Sequence, residues 1–139
     1  MLKQIIDIYR NSNTILVYFS DHGDEVYDYR DQFGREFGTF TPNKLKYQFE
    51  VPFVVWCSDI YQERHANTVG LLRQVADQPF MIDKLCHLLF HIGGVNTKYY
   101  QQRLDILDDS YQCGKRICNY VNDYDKIMKK QREKINYHG

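Results

Sequence analysis

Asp21 and His22 stand side by side where the strand-like run Thr14-Ile15-Leu16-Val17-Tyr18-Phe19 ends in Ser20, and Gly23 follows them at once. A carboxylate oxygen and an imidazole nitrogen delivered together suit a borderline divalent cation, zinc above all. Neighbours in a regular strand point to opposite faces, so the two can share one ion only if the strand has already ended. Gly23, without a Cβ, allows the sharp turn this requires. Asp24, Glu25, Asp28 and Asp31 come next with Arg30 as the one base, leaving residues 21–31 at net −4. That local charge favours a cation. The same residues equally describe a solvated acidic loop with a capping Asp and an ordinary His. Spacing alone leaves both readings open.

The surrounding elements decide where the pair can lie. Leu2, Ile5, Ile6 and Tyr9 recur at helical spacing and predict an amphipathic opening helix that stops near Asn11-Ser12-Asn13. Residues 14–19, nearly all β-branched or aromatic, predict a strand covered on both faces. Residues 21–50 mix Gly23, Gly34, Gly38 and Pro42 with charges and aromatics, and predict a long functional loop. Glu50 to Cys57 predicts a second buried strand, with Pro52 tolerable only near its start. Ser58-Asp59 reads as a helix cap and Ile60 to Gln74 as helical with a break near Asn67. Met81 to His91 reads as an amphipathic helix stopped by Gly93-Gly94, Lys115 to Val121 as a short edge strand. This order predicts an α/β fold with a small, mostly parallel sheet flanked by helices. Residues 14–20 are expected at its centre, 51–57 beside them, and helices 2–11 and 81–92 on its faces. In such sheets ligands gather outside the carboxyl ends of the strands, where Asp21 and His22 stand.

Composition removes several classes of function. The 18 basic and 18 acidic residues cancel, which leaves no global electrostatic case for nucleic acid. No apolar run approaches the roughly 18 residues of a membrane span, and the early Asp7 is wrong for a signal peptide. From Lys126 onward five bases face one acid; the segment Tyr124 to Ile135 is expected to form a solvated helix, with attraction to anionic lipid or phosphate as the lesser reading. Cys57 and Cys86 read as core residues, whereas Cys113 and Cys118 can pair or offer two zinc ligands. His87 and His91 have metal-binding spacing on one helix, but Ile82, Leu85, Leu88, Leu89 and Phe90 around them favour a packed helix with satisfied histidines. His65 and His138 read as surface residues, and Ser20 lacks a positioned base that would make it a nucleophile.

Ser20-Asp21-His22-Gly23-Asp24-Glu25, followed by Val51-Pro52-Phe53-Val54-Val55-Trp56, resembles the sulfatase and alkaline-phosphatase superfamily. The likeness is greatest to its branch of membrane-bound phosphoethanolamine transferases that decorate lipid A. Asp83-Lys84-Leu85-Cys86-His87-Leu88-Leu89 and Gly94-Val95-Asn96-Thr97-Lys98-Tyr99-Tyr100 look like later segments of that branch, in the same order. The likeness spans about residues 1–125, read as the C-terminal part of a sulfatase-like catalytic domain with an alkaline-phosphatase-like fold; 126–139 is a basic tail.

The resemblance implies that Asp21 and His22 are zinc ligands. It also implies a Thr nucleophile and an acidic ligand well upstream, in a part with no counterpart here. In that branch a His commonly follows a Gly about a dozen residues after the Asp-His pair and handles the phosphoryl group; here Gly34 is followed by Arg35. Arginine can hold phosphate oxygens bidentately but cannot exchange a proton near neutral pH. The expected whole protein takes phosphoethanolamine from a phospholipid head group and passes it to lipid A, from an inner-membrane anchor with a periplasmic catalytic domain. This chain alone is expected to be soluble, without a targeting signal, and inactive. The rival expectation is a truncated, inactive remnant that folds as a self-associating domain, a homo-oligomer covering the sheet edge or apolar face that truncation leaves.

Overall fold

A computed structural model describes residues 1–36 and 38–136. The chain divides into two compact units, one of Met1–Tyr18 with Val54–Cys113 and the other of Phe19–Phe53 with Gly114–Gly139.

In the first unit, α1 (Leu2–Tyr9) opens the chain and leads into β1 (Ile15–Phe19). β4 (Phe53–Cys57) pairs with β1 and runs straight into α3 (Asp59–Arg64) and α4 (Ala66–Gln74). A 3₁₀ turn over Ile82–Lys84 starts α5 (Leu85–Ile92). Ser58 fastens these pieces. Its hydroxyl donates to the Ser12 carbonyl at 2.6 Å and accepts from the N–H groups of Thr14 (3.2 Å) and Tyr61 (3.1 Å), the last being the helix cap expected of it. Tyr61, Val69, Leu85, Leu88, Ile106 and Leu107 are the apolar side chains this unit buries.

The second unit holds the stretch expected to be loop. A short hairpin joins β2 (Glu25–Val26) to β3 (Phe33–Gly34), and then α2 (Pro42–Phe49) forms. Thr41 caps α2 by accepting from Lys44 N–H at 3.3 Å, and Pro42 takes the first turn, where its missing N–H costs nothing. The helix stayed hidden because the face it buries is Lys44, Leu45 and Gln48, which carries little apolar periodicity. A second small hairpin, β5 (Ile117–Cys118) with β6 (Asn122–Asp123), precedes α6 (Tyr124–Asn136), the helix expected of the basic tail. Phe40, Leu45 and Cys118 form the buried centre, lined by Phe49, Tyr124, Ile127 and Met128.

The α/β class stands, but the mostly parallel sheet does not. The described residues make three two-stranded sheets. β2–β3 and β5–β6 are antiparallel. At the β1–β4 pair, Ser58 N–H donates to Thr14 O at one end and the Phe19 and Phe53 rings meet at the other, so these strands also run oppositely. The reason is the connection: the β2–β3 hairpin and α2 carry the chain back alongside β1 in reverse, whereas a parallel partner needs a crossover returning to the same end. β1 therefore has one neighbour, not two, and its residues are only partly covered, with Phe19 39% exposed. Cys86 is also exposed, contrary to its reading as core, because it faces away from Leu85 and Leu88 on α5. Cys113 and Cys118 do not pair; all four thiols are free. His138 lies outside the described residues. No described helix is long and apolar enough to cross a membrane.

Candidate metal and phosphoryl site

β1 ends at Phe19, and the chain turns over Ser20–Asp24. Ser20 closes the turn by donating its hydroxyl to the His22 carbonyl at 2.7 Å. Gly23 N–H donates to Gln48 O at 3.2 Å, docking the turn on the last residues of α2. The approach is so close that a Cβ on Gly23 would lie 2.2 Å from the Tyr47 carbonyl oxygen. Gly23 is thus required for packing against α2 as much as for turning.

His22 Nδ1 lies 3.2 Å from the Gly23 carbonyl, which can only accept, so the tautomer that bonds there carries its proton on Nδ1. Nε2 then keeps its lone pair, and it lies 3.8 Å from Asp21 Oδ2. Two ligands at about 2.0–2.1 Å in a tetrahedral zinc site stand about 3.3 Å apart, so the pair lies near one another but a little wider than two donors to one ion. The fit is partial: among the described residues no group of three or more His, Cys, Asp or Glu side chains is arranged to hold a metal.

Asp24 joins the remaining residue to the pair. One of its oxygens lies 3.7 Å from His22 Nδ1 and the other 3.7 Å from Arg35 Nε. Asp21, His22 and Arg35, singled out separately from the sequence, therefore converge on one side of the unit, with the Arg35 side chain half exposed.

Beneath them is a network the sequence reading did not anticipate. Glu25, 1% exposed, accepts from Arg30 Nε at 2.7 Å and Nη2 at 2.9 Å, and from the Gln48 amide at 2.5 Å. Arg30 Nη2 also donates to Glu36 at 2.6 Å, and Lys44 Nζ pairs with Glu36 at 2.9 Å. The Arg30 guanidinium outweighs the burial that would raise the Glu25 pKa; with Gln48 helping, the carboxyl is held down at about 2. Lys44, then Arg30, likewise lowers the pKa of Glu36. The charge run was visible in sequence, but its partners Lys44 and Gln48 come from the unforeseen α2. The α5 histidines are satisfied as expected: His87, buried, accepts from Gln101 N–H at 3.2 Å, and His91 bonds the buried Asp105 at 2.5 Å.

The sulfatase family model matches residues 1–95, and the chain belongs to that family. Its relatives include phosphoethanolamine transferases. The chain is 28% identical over 102 residues to phosphoethanolamine transferase EptC of Escherichia coli K12, covering 73% of this chain and 17% of that protein. It is 35% identical over 95 residues to EptA of the same strain, covering 68% and 17%. It is 35% identical over 80 residues to that strain's Kdo(2)-lipid A phosphoethanolamine 7''-transferase, covering 55% and 13%. The crystal structure of the C-terminal periplasmic domain of Escherichia coli EptC superposes with a TM-score of 0.71 at 25% identity, over 91% of this chain and 36% of that one. A zinc complex of the same domain superposes with a TM-score of 0.65, over 91% and 35%. The chain thus spans less than a fifth of the length of these full-length relatives.

Proposed function

We propose that this chain is the C-terminal portion of a metal-dependent phosphoethanolamine transferase, with residues 1–125 contributing one side of the catalytic domain. Asp21 and His22 supply two zinc ligands. The 3.8 Å convergence of Asp21 Oδ2 with His22 Nε2 at the end of β1 carries this reading, in a family whose EptC relative was crystallised with zinc. The remaining ligands and the nucleophile come from parts of the full-length protein that this chain does not include. A bound zinc supplies Lewis acidity that lowers the pKa of an attacking oxygen and neutralises phosphoryl charge. The chain's own residues do the rest of what falls to them. Asp24 stands between His22 and Arg35, 3.7 Å from each, and Arg35 offers a planar fork to phosphoryl oxygens without exchanging protons. The donor is a phospholipid head group and the acceptor lipid A, in an inner-membrane protein with its catalytic domain in the periplasm; the names of the relatives support phosphoethanolamine transfer to lipid A and the periplasmic domain.

Zinc calorimetry on the wild type and on an Asp21→Ala, His22→Ala double variant tests the metal assignment. Weak binding that the double variant loses is expected. Equal binding by both proteins would remove the pair from the metal site.

A further inference from the structure

Arg35 has little that holds it directly. Its Nε is 3.7 Å from Asp24, beyond hydrogen-bond reach, and a half-exposed arginine has much rotamer entropy to lose on being fixed. Its backbone is another matter. Gly34, just before it, is paired with Glu25 across the β2–β3 ladder. The same antiparallel register, carried one step outward, sets Arg35 opposite Asp24. Glu36, just after it, is gripped by Arg30 at 2.6 Å and Lys44 at 2.9 Å. Both anchors lead to the same places. Glu25 and Glu36 are held by one guanidinium, and each also bonds α2 through Gln48 and Lys44, four residues apart on one helix face.

We propose that Arg30, gripping Glu25 through Nε and Nη2 and Glu36 through the same Nη2, is a positioning residue that locks the β2–β3 register and so holds Arg35 opposite Asp24, ready for a phosphoryl group. This rests on the reading of Arg35 as the phosphoryl-binding residue. A lysine in place of Arg30 keeps the charge but not the fork, since a single ammonium cannot satisfy both carboxylates in that planar geometry. Arg30→Ala is a poor test because it strands a buried carboxylate without its partner. Glu36→Gln is better: Glu36 is 44% exposed, and the substitution weakens its grip on Arg30 and Lys44 while leaving Glu25 paired.

The experiment uses the whole 139-residue chain labelled with ¹⁵N-arginine. It reads the heteronuclear NOE of the Arg35 Nε–H signal, its shift on titration with inorganic phosphate, and the thermal midpoint. In the wild type, Arg35 should be ordered and should respond to phosphate. In Glu36→Gln and Arg30→Lys the Arg35 NOE should collapse and phosphate affinity fall about tenfold, the loss expected when one charge-assisted contact is no longer preset. Glu36→Gln should do so with a melting point close to wild type, which a purely structural role does not predict. An Arg35 NOE unchanged in both variants overturns the proposal. An NOE that collapses as expected, in a protein whose wild type shows no phosphate response, upholds the positioning role and overturns the phosphoryl reading of Arg35.

Discussion

Gly23 shows how a single residue couples the site to the fold. Its N–H is bonded to Gln48 O, and the space a side chain would need is already taken by the Tyr47 carbonyl. Gly23→Ala should therefore push the Asp21–Asp24 turn off the end of α2. Overpacking of this kind costs about 1–3 kcal/mol. Chemical denaturation should show that loss, and zinc affinity should fall with it because Asp21 and His22 ride on the same turn. A variant as stable as wild type would mean that α2 yields easily. Glu25 offers a pH test. Its carboxyl sits at about 2 in the folded chain against an ordinary 4.5, so folding favours the charged form. The stability this brings is complete above pH 4.5 and is lost as the pH falls toward about 2. Thermal melts over that window should drop more steeply for the wild type than for Glu25→Gln, which has no such proton to take up. Parallel curves would show that the buried ion pair is not what fails in acid.

Among the elements, the join between β4 and α3 carries the most from one side chain. Ser58 caps α3 and also ties the chain at Ser12 and Thr14, so β1 and β4 cannot slide past each other without breaking its bonds. Loss of a cap costs about 0.5–2 kcal/mol, and a buried donor left without its partner adds about 1–3 kcal/mol. Ser58→Ala should reach the upper part of that range in equilibrium unfolding. A loss below the cap value alone would show that water replaces the hydroxyl. The β2–β3 hairpin depends on different forces. Val26, Tyr27 and Phe33 are all largely exposed, so little apolar burial stabilises it, and the Arg30 network with its α2 anchors must do so instead.

Over the whole molecule, the chain leaves apolar strand uncovered. Among the described residues β1 has one strand neighbour, and Phe19 and Val54 are each about 40% exposed. Unpaired strand edges beside apolar surface favour association. We expect sedimentation velocity to show a species whose size grows with protein concentration. A clean monomer at high concentration would show that the chain closes its own core. If, as proposed, the chain supplies two metal ligands and the nucleophile lies elsewhere in the full-length protein, phosphate, sulfate and phosphoethanolamine esters should not be turned over by the chain alone. Turnover that disappears in Asp21→Ala would reveal a complete site within these residues.

Much of this molecule was legible because its signals are local. Helical spacing placed α1 and α5, Ser58 announced α3, and a strand running into Asp21-His22-Gly23 marked the family. Strand direction was not legible, because a sequence of elements does not say which way the chain returns; the hairpin and α2 turned it back against β1. Nor was the support of the site. Glu25 and Arg30 read as two charges in an acidic run, and only folding brings Gln48 and Lys44 to them from a helix whose buried face is polar. Residue type and spacing brought Asp21 and His22 forward as one of two readings, and the resemblance added Arg35. That they meet around Asp24 is a matter of register and docking, set by contacts between residues far apart in the chain, and only the tertiary structure decides those.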